Sequence, residues 1–462
     1  MTTASDTPRQ SVSPAPPLPG PMPRTAYVLL WFPLSSETFI FREIQRLHAL
    51  GMPLQIYTMY GKRLQGGSQE MHHTALPIKR LGIPASFRML AAFLRALGRA
   101  PGPVWRLMRE GLFRRMRNLE ATGENAWCFF AGFLLAELAR RDGVELLHAA
   151  WANGCATAVW VASRLSGIPF AFTGRAGDIY PQDGILREKA RDALFIRTNN
   201  QANVAWLQSF CPEDEPDKVH AVYNGLTLVR RTECAMTFAP PFRLLAVGRF
   251  CRTKGFPELL TMMARLRREG MPVHLTLVGD GGWRRKLRAL RKRLHLEGVV
   301  SMPGFVPNDR IRDYMHDHDI LVVPSVVHTN GDRDGIPNVI MEALSCRMPV
   351  VTTDVCGIRE VIEDGVTGLL VPQRDPAALA LAVRRMLGDR EAALRMAEAG
   401  RERVLRMFDS EANTRQLAEL YCGQMADWRA SRPDIWLFTR GLPPQDDEDR
   451  HEPPHTVAGR QS

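Results

Sequence analysis

Two kinds of apolar pattern alternate along this chain. Short apolar runs suit buried strands, and longer stretches with an apolar residue every three or four positions suit helices. In the first half, Tyr27–Phe32, Leu54–Tyr57, Leu146–Ala150, Ile168–Phe172 and Leu194–Arg197 read as strands. Glu37–Leu50, with Phe39, Ile40, Ile44, Leu47 and Leu50 on one side, and Ala156–Leu165 read as helices. The alternation lapses over residues 228–241, a polar stretch ending Ala-Pro-Pro, and then restarts. Arg243–Val247, His274–Val278, Val299–Met302, Ile320–Val323, Val350–Thr352 and Leu369–Val371 are the second set of strands. Pro257–Arg268, Arg284–Leu294, Asp309–His316 and Asn338–Cys346 are the helices among them. Helical spacing continues over Pro376–Glu398, Arg401–Phe408 and Glu411–Trp428.

Strands alternating with helices predict parallel, doubly wound sheets, so the fold class is α/β with two Rossmann-like lobes. A length of 462 residues suits two such lobes better than one core. The boundaries expected are a first lobe over 24–238, a second over 239–410, and a helix over 411–440 that returns to the first lobe. Residues 1–23, with seven prolines and no apolar h-region, read as a disordered leader and not a signal peptide. Residues 441–462 read as a disordered tail.

Composition narrows the class. Eight cysteines stand without a C-x-x-C pair, which predicts a reduced, cytoplasmic protein and no disulfide framework or zinc site. No apolar run is long enough to span a bilayer. The formal net charge of +11 invites a nucleic-acid partner, yet no zinc-finger spacing or RNA-binding signature accompanies it. The charge is instead concentrated: residues 85–118 hold eight arginines against one acid, Glu110, interleaved with Phe87, Leu90, Phe93, Leu94, Leu97, Trp105 and Phe113. Such a helix either lies on an anionic membrane surface or packs its apolar side on the core, and the two are compatible.

Two segments carry chemistry. VGRFCRTKG begins where the strand Arg243–Val247 ends, and ligands in open α/β sheets bind at the carboxyl ends of strands. Arg249 offers a planar fork and Lys254 a point charge, a pair suited to a diphosphate. DGIPNVIMEA, Asp334–Ala343, follows the strand Ile320–Val323. Pro337 suits a helix's first turn, where free N–H groups form an anion site. Gly335 lets the backbone approach a ligand closely. Glu342 lies about 7.5 Å along the helix axis, placed to bond a ribose while the helix start holds phosphates. Asp334 is placed for sugar hydroxyls. By contrast, His316-Asp317-His318-Asp319 sits where a helix meets a strand and reads as structural, and His72-His73 as surface.

With Arg249, Lys254 and the acid-x7-Glu pair Asp334/Glu342, the chain resembles the retaining glycosyltransferases of family 4, of GT-B fold, over roughly residues 25–430. VGDG (Val278–Gly281), PGFV (Pro303–Val306), DILVVPS (Asp319–Ser325), PVVTT (Pro349–Thr353) and DGVTGLLV (Asp364–Val371) extend the likeness. FPLSSETFIFREI (Phe32–Ile44), PFAFTGRAGDIY (Pro169–Tyr180) and YNGL (Tyr223–Leu226) are similar to the colanic-acid and amylovoran branch, which builds bacterial exopolysaccharides.

The resemblance implies a hexosyltransferase that moves a sugar from a nucleoside diphosphate to a lipid-linked glycan, in the cytoplasm and peripherally at the inner membrane. It implies donor contacts from Gly248, Arg249, Lys254, Asp334, Gly335, Ile336, Pro337, Asn338, Val339 and Glu342. Catalytic weight falls on Arg249, Lys254, Asp334, Glu342 and Arg175. The cleft loop Ser35, Ser36, Glu37 and Thr38, with Asp178, faces the acceptor. No cofactor or metal is expected, because the two cations neutralise the leaving group. Four positions depart from the pattern. Asp334 replaces Glu and is shorter by roughly 1.5 Å. Arg175 and Gly177 stand where the branch has His. Arg347 stands where a left-handed Gly is usual after a helix. Two other readings stay open here: a nucleotide-sugar epimerase of the same fold, and a catalytically weakened nucleotide-sugar- or glycan-binding protein.

Overall fold

The computed structural model describes residues 17–34, 37–61, 71, 74–114, 116, 118–181, 184–226 and 238–431. Two all-parallel sheets organise them. The first has the order β3-β2-β1-β4-β5-β6-β7. Its strands are β1 Thr25–Leu29, β2 Leu54–Thr58, β3 Ile78–Arg80, β4 Leu146–Ala149, β5 Phe170–Gly174, β6 Phe195–Thr198 and β7 Val219–Ala221. The second has the order β10-β9-β8-β11-β12-β13. Its strands are β8 Phe242–Val247, β9 Val273–Val278, β10 Val300–Gly304, β11 Ile320–Val323, β12 Val350–Thr353 and β13 Leu369–Val371.

Each sheet is apolar on both faces, as parallel sheets covered by crossover helices must be. Along β1, Ala26 and Val28 enter one core while Tyr27 and Leu29 enter the other. Along β8, Leu244 and Ala246 face one way and Leu245 the other. This two-residue period is why the strands read as unbroken apolar runs. In both sheets the winding reverses between the first strand and the fourth, β1 and β4 or β8 and β11. The carboxyl ends of those pairs frame a crevice where open α/β sheets take ligands.

The helix Ser410–Ser431 returns to the first lobe, where Leu417, Ala418, Tyr421 and Met425 pack with Tyr27 and Leu29. That core also holds a buried charge. Glu43, on the helix Thr38–Ala49, accepts from Tyr27 Oη at 2.6 Å and pairs with Arg197. Burial alone would raise this carboxyl, but Arg197, Arg175 and the tyrosine outweigh it and hold it below the usual range.

Several expectations need correction. Residues 17–23, assigned to the leader, pack against the protein: Leu18 and Met22 lie on the first-lobe core and Pro23 is buried. Residues 1–16, the linker core 227–237 and the tail 441–462 lie outside the described residues. The helix expected to run to Glu398 ends at Gly388, and another spans Arg390–Met407, because Asp389 caps its start through Ala392 N–H at 2.9 Å. The helix Leu119–Arg141 and the short strands β3 and β7 were not anticipated. Arg347 does hold the left-handed backbone its position requires, φ 57°, and its guanidinium is tied to Glu398.

Candidate active site

The site grows from the four strand ends beside the two switch points. After β8 the chain passes Gly248 and Arg249, makes a short turn over Arg252–Lys254 and enters the helix Phe256–Arg268. Gly255 sits at φ 59°, and a Cβ there would lie 1.7 Å from Pro324 O, so only glycine lets this loop close on the loop after β11. Val326 N–H donates to Thr253 O at 2.8 Å and completes the contact. The closure brings two segments about eighty residues apart in the chain into contact: Lys254 Nζ lies 3.0 Å from Asp334 Oδ1. Ser325 Oγ donates to the other oxygen, Asp334 Oδ2, at 2.6 Å. The lysine stem lies along the bare face of Gly248, whose missing Cβ would sit 3.4 Å from its Cδ and Cε.

The helix Asn338–Ser345 follows. Pro337 is its N-cap, one position earlier than expected, with φ −62° and ψ 123°. No side chain caps this helix start, which leaves its first N–H groups for a ligand. Glu342 is half-buried on the same helix. Burial pushes its carboxyl up from the usual range, against the pull of Arg42, Arg312 and a hydrogen bond from Asn308. Arg42 belongs to the first-lobe helix Thr38–Ala49, so the carboxylate faces the crevice between the lobes.

Across that crevice stand the ends of β1 and β4. Glu37, the N-cap of the helix Thr38–Ala49, accepts from Trp151 Nε1 at 3.4 Å. Burial raises its carboxyl above the usual range, against the pull of Arg175, the Trp151 bond and Arg249 of the opposite lobe. Arg249 itself is exposed, and its carbonyl accepts from Cys251 N–H at 2.8 Å. The lobes meet directly beside the site. Asn200 Nδ2 would lie 2.9 Å from a Cβ on Gly335. Arg333 stacks 3.9 Å over the Tyr180 ring. Glu360 accepts from Gln201 N–H at 3.0 Å, Ala202 N–H at 2.8 Å and Tyr223 Oη at 2.7 Å.

The structure therefore gathers Gly248, Arg249, Lys254, Asp334, Gly335, Pro337, Asn338, Glu342, Glu37 and Thr38 at one crevice. Five assignments change. Arg175 is not presented to the crevice: its guanidinium is buried between Trp151, at 4.8 Å, and Phe39, at 5.2 Å, and donates to Ala150 O. Its charge acts from behind Glu37. Asp178 spends one oxygen on Ala152 N–H, at 2.5 Å, and the other on Arg175 N–H, at 2.6 Å. It holds the loops after β4 and β5, and burial pushes its pKa up to about 7. The side chains of Ile336 and Val339 are buried in the second lobe's core, which leaves only their backbone to a ligand. Gly335 gives its close approach to Asn200 of the other lobe. Ser35, Ser36, His72 and His73 lie outside the described residues.

Sequence reading missed Ser325, Arg42, Asn308 and Glu360. Ser325 closes the DILVVPS string and stands nine residues before Asp334, a signal that was available. The others reach the site from distant elements, and no local spacing marks them. The cluster His316–Asp319 is structural: His318 bridges Tyr314 O and Thr276 Oγ1, at 2.6 and 2.8 Å, and Asp319 accepts from Phe238 and Arg243 N–H. Among the described residues no three His, Cys, Asp or Glu side chains are grouped to hold a metal ion.

The chain is similar to known glycosyltransferases. Residues 238–403 match the family described as Glycosyl transferases group 1. The chain is 28% identical to WcaL of Salmonella typhimurium, named as a colanic acid biosynthesis glycosyltransferase, over 86% of this chain and 99% of that one. It is 33% identical to the amylovoran biosynthesis glycosyltransferase AmsK of Erwinia amylovora over 39% of this chain and 44% of that one. Among solved structures, Anabaena HepE in complex with UDP and glucose superposes with a TM-score of 0.63 at 18% identity, covering 86% of this chain and 99% of its own.

Proposed function

Since the chain is a glycosyltransferase with two Rossmann-like lobes of GT-B type, we propose that it transfers a hexose, with retention, from a nucleoside diphosphate to a lipid-linked glycan in exopolysaccharide synthesis. The observation that carries this reading is the convergence of Lys254, Asp334 and an uncapped helix start at the ends of β8 and β11. A diphosphate at that helix start meets N–H donors and the Lys254 ammonium, with Arg249 reaching in from the open side. Glu342, further along the helix, takes the ribose hydroxyls. Asp334, held between Lys254 and Ser325, takes a hydroxyl of the sugar.

In the transfer, the acceptor hydroxyl oxygen bonds to the anomeric carbon while the bond from that carbon to the diphosphate oxygen breaks. The hydroxyl proton passes to the departing oxygen on the same face. Charge grows on the diphosphate as it leaves, and the two cations and the helix start are in place before that happens. Preorganised groups of this kind contribute on the order of 3–4 kcal/mol each. In this reading the two cations do the work a metal would otherwise do. The names of WcaL and AmsK support the exopolysaccharide assignment. A lipid-linked acceptor calls for work at the periphery of the inner membrane, from the cytoplasmic side.

Retention is tested without knowing the acceptor. Slow hydrolysis of UDP-, GDP- and ADP-hexoses, followed by NMR, reports the anomer that forms first. The proposal expects the donor's own anomer, and the opposite one would overturn it.

A further inference from the structure

The arginine-rich segment has a feature that neither of its two sequence readings contained: its first helix has two apolar stripes. On Ser86–Arg99, Met89 and Ala92 are buried, and Phe93, Ala96 and Leu97 pack on the same first-lobe core. That stripe is the ordinary reason for a surface helix to be amphipathic. Phe87, Leu90 and Leu94, spaced i, i+3, i+7, share a different face. All three are exposed, Phe87 to 83%, and Ile83, one turn earlier, to 80%. The next helix, Pro101–Leu107, adds Trp105, exposed to 61%, its ring 6.0 Å from that of Phe113. Single exposed apolar side chains are common, but a contiguous set marks a contact surface.

Charge selects the occupant. Arg88, Arg99, Arg106 and Arg109 are exposed and bond to no described residue. Arg95 differs, since Glu137 holds it at 3.0 and 2.7 Å, and Arg114 is paired with Glu188. The one acid of the segment, Glu110, faces inward to Arg164 and Arg191, at 3.6 and 3.7 Å. The outward surface thus joins an apolar stripe to four unpaired arginines. An anionic bilayer satisfies both, with the apolar side chains at the acyl boundary and the guanidinium groups among lipid phosphates. No helix among the described residues is long and apolar enough to cross a membrane.

The topology also sets an orientation. Ile83 follows β3 by a few residues and so stands at the carboxyl end of the first sheet, the end that also bears Glu37 and Trp151. We infer that Ile83, Phe87, Leu90, Leu94 and Trp105 insert into an anionic bilayer and seat the first lobe with its crevice end toward the lipid. This extends the sugar-transfer reading, because a lipid-linked acceptor is presented at such a surface, but it is tested separately.

The full chain is mixed with phosphatidylcholine vesicles, with or without phosphatidylglycerol, and floated. The protein is expected on the anionic vesicles and not on the neutral ones. In the wild-type chain, part of the tryptophan fluorescence should be quenched by lipids brominated in the acyl chains, and Trp105→Phe should remove that part. Phe87→Ser/Leu90→Ser/Leu94→Ser and Arg88→Glu/Arg99→Glu/Arg106→Glu/Arg109→Glu should each weaken vesicle binding by tenfold or more. Both variants should keep the wild-type thermal shift with UDP, GDP or ADP, which separates loss of this surface from failure of the donor site. Three results would overturn the proposal: wild-type protein that stays off anionic vesicles, no acyl-chain quenching, or a dimer in solution that the serine variant dissociates.

Discussion

Lys254 Nζ and Asp334 Oδ1 stand 3.0 Å apart, and Ser325 fixes the second oxygen of the same carboxylate at 2.6 Å. The two residues expected to serve opposite ends of the donor are therefore joined directly. Each is only about one-sixth exposed, so the pair is shielded more than a surface salt bridge. Lys254→Ala removes a leaving-group cation and strands the carboxylate. It is expected to lower kcat by about 10²–10³. Asp334→Asn keeps the acceptor for Ser325 but releases the lysine, so it should lower kcat while leaving affinity for the bare nucleoside diphosphate intact. Steady-state kinetics beside calorimetry with UDP, GDP or ADP distinguishes the two.

Glu342 carries a pH signature. Burial raises its carboxyl, so it takes up a proton at a pH above the ordinary carboxylate value near 4.3. A group whose folded pKa is raised favours the folded state most at low pH, and that contribution fades as pH rises through the folded value. Donor binding has the opposite sign, because a ribose hydroxyl needs the ionised carboxylate as acceptor. Donor affinity should therefore fall as pH drops toward the raised value. Glu342→Gln should bind more weakly, with that part of the pH dependence gone.

Glu360 joins the lobes through Gln201, Ala202 and Tyr223. Hydrogen bonds to a charged group contribute about 1.5–3 kcal/mol each, so the set is strong enough to bias how far the crevice opens. Glu360→Ala should broaden the distance between spin labels placed on the two lobes. It should lower turnover while the shift in melting temperature on adding nucleoside diphosphate stays unchanged. An unaltered distance distribution would count against a clamp at this position.

How much was legible in the sequence follows from what each residue depends on. The strand β11 was placed to the residue because its unbroken apolar run is buried on both faces, and the edge strand β13 was placed as well although only Leu369 of its three residues is fully buried. The placement of Arg249 and Lys254 after β8, and of Asp334 and Glu342 around the start of the helix after β11, was legible because strand ends and a helix start are local features. The strand β3 was not, since Ile78–Arg80 is short, half-buried and mostly charged. The helix Leu119–Arg141 hid for the opposite reason: its middle is buried nearly all round, which erases the helical period. The break at Gly388-Asp389 left a signal, a glycine followed by a capping acid, that went unread. Arg175 entered only through the resemblance, which has a histidine at its position, and packing then shows Phe39 and Trp151 enclosing the arginine.

The central claim is that the two cations and the helix start after β11 bind one diphosphate. The most direct measurement is a thermal-shift titration with UDP-, GDP- and ADP-sugars on the wild-type chain and on Arg249→Ala, Lys254→Ala and Glu342→Ala. One nucleotide series should raise the melting temperature of the wild type, and each substitution should shrink or abolish that rise. A full-sized shift that survives all three substitutions would place the donor elsewhere.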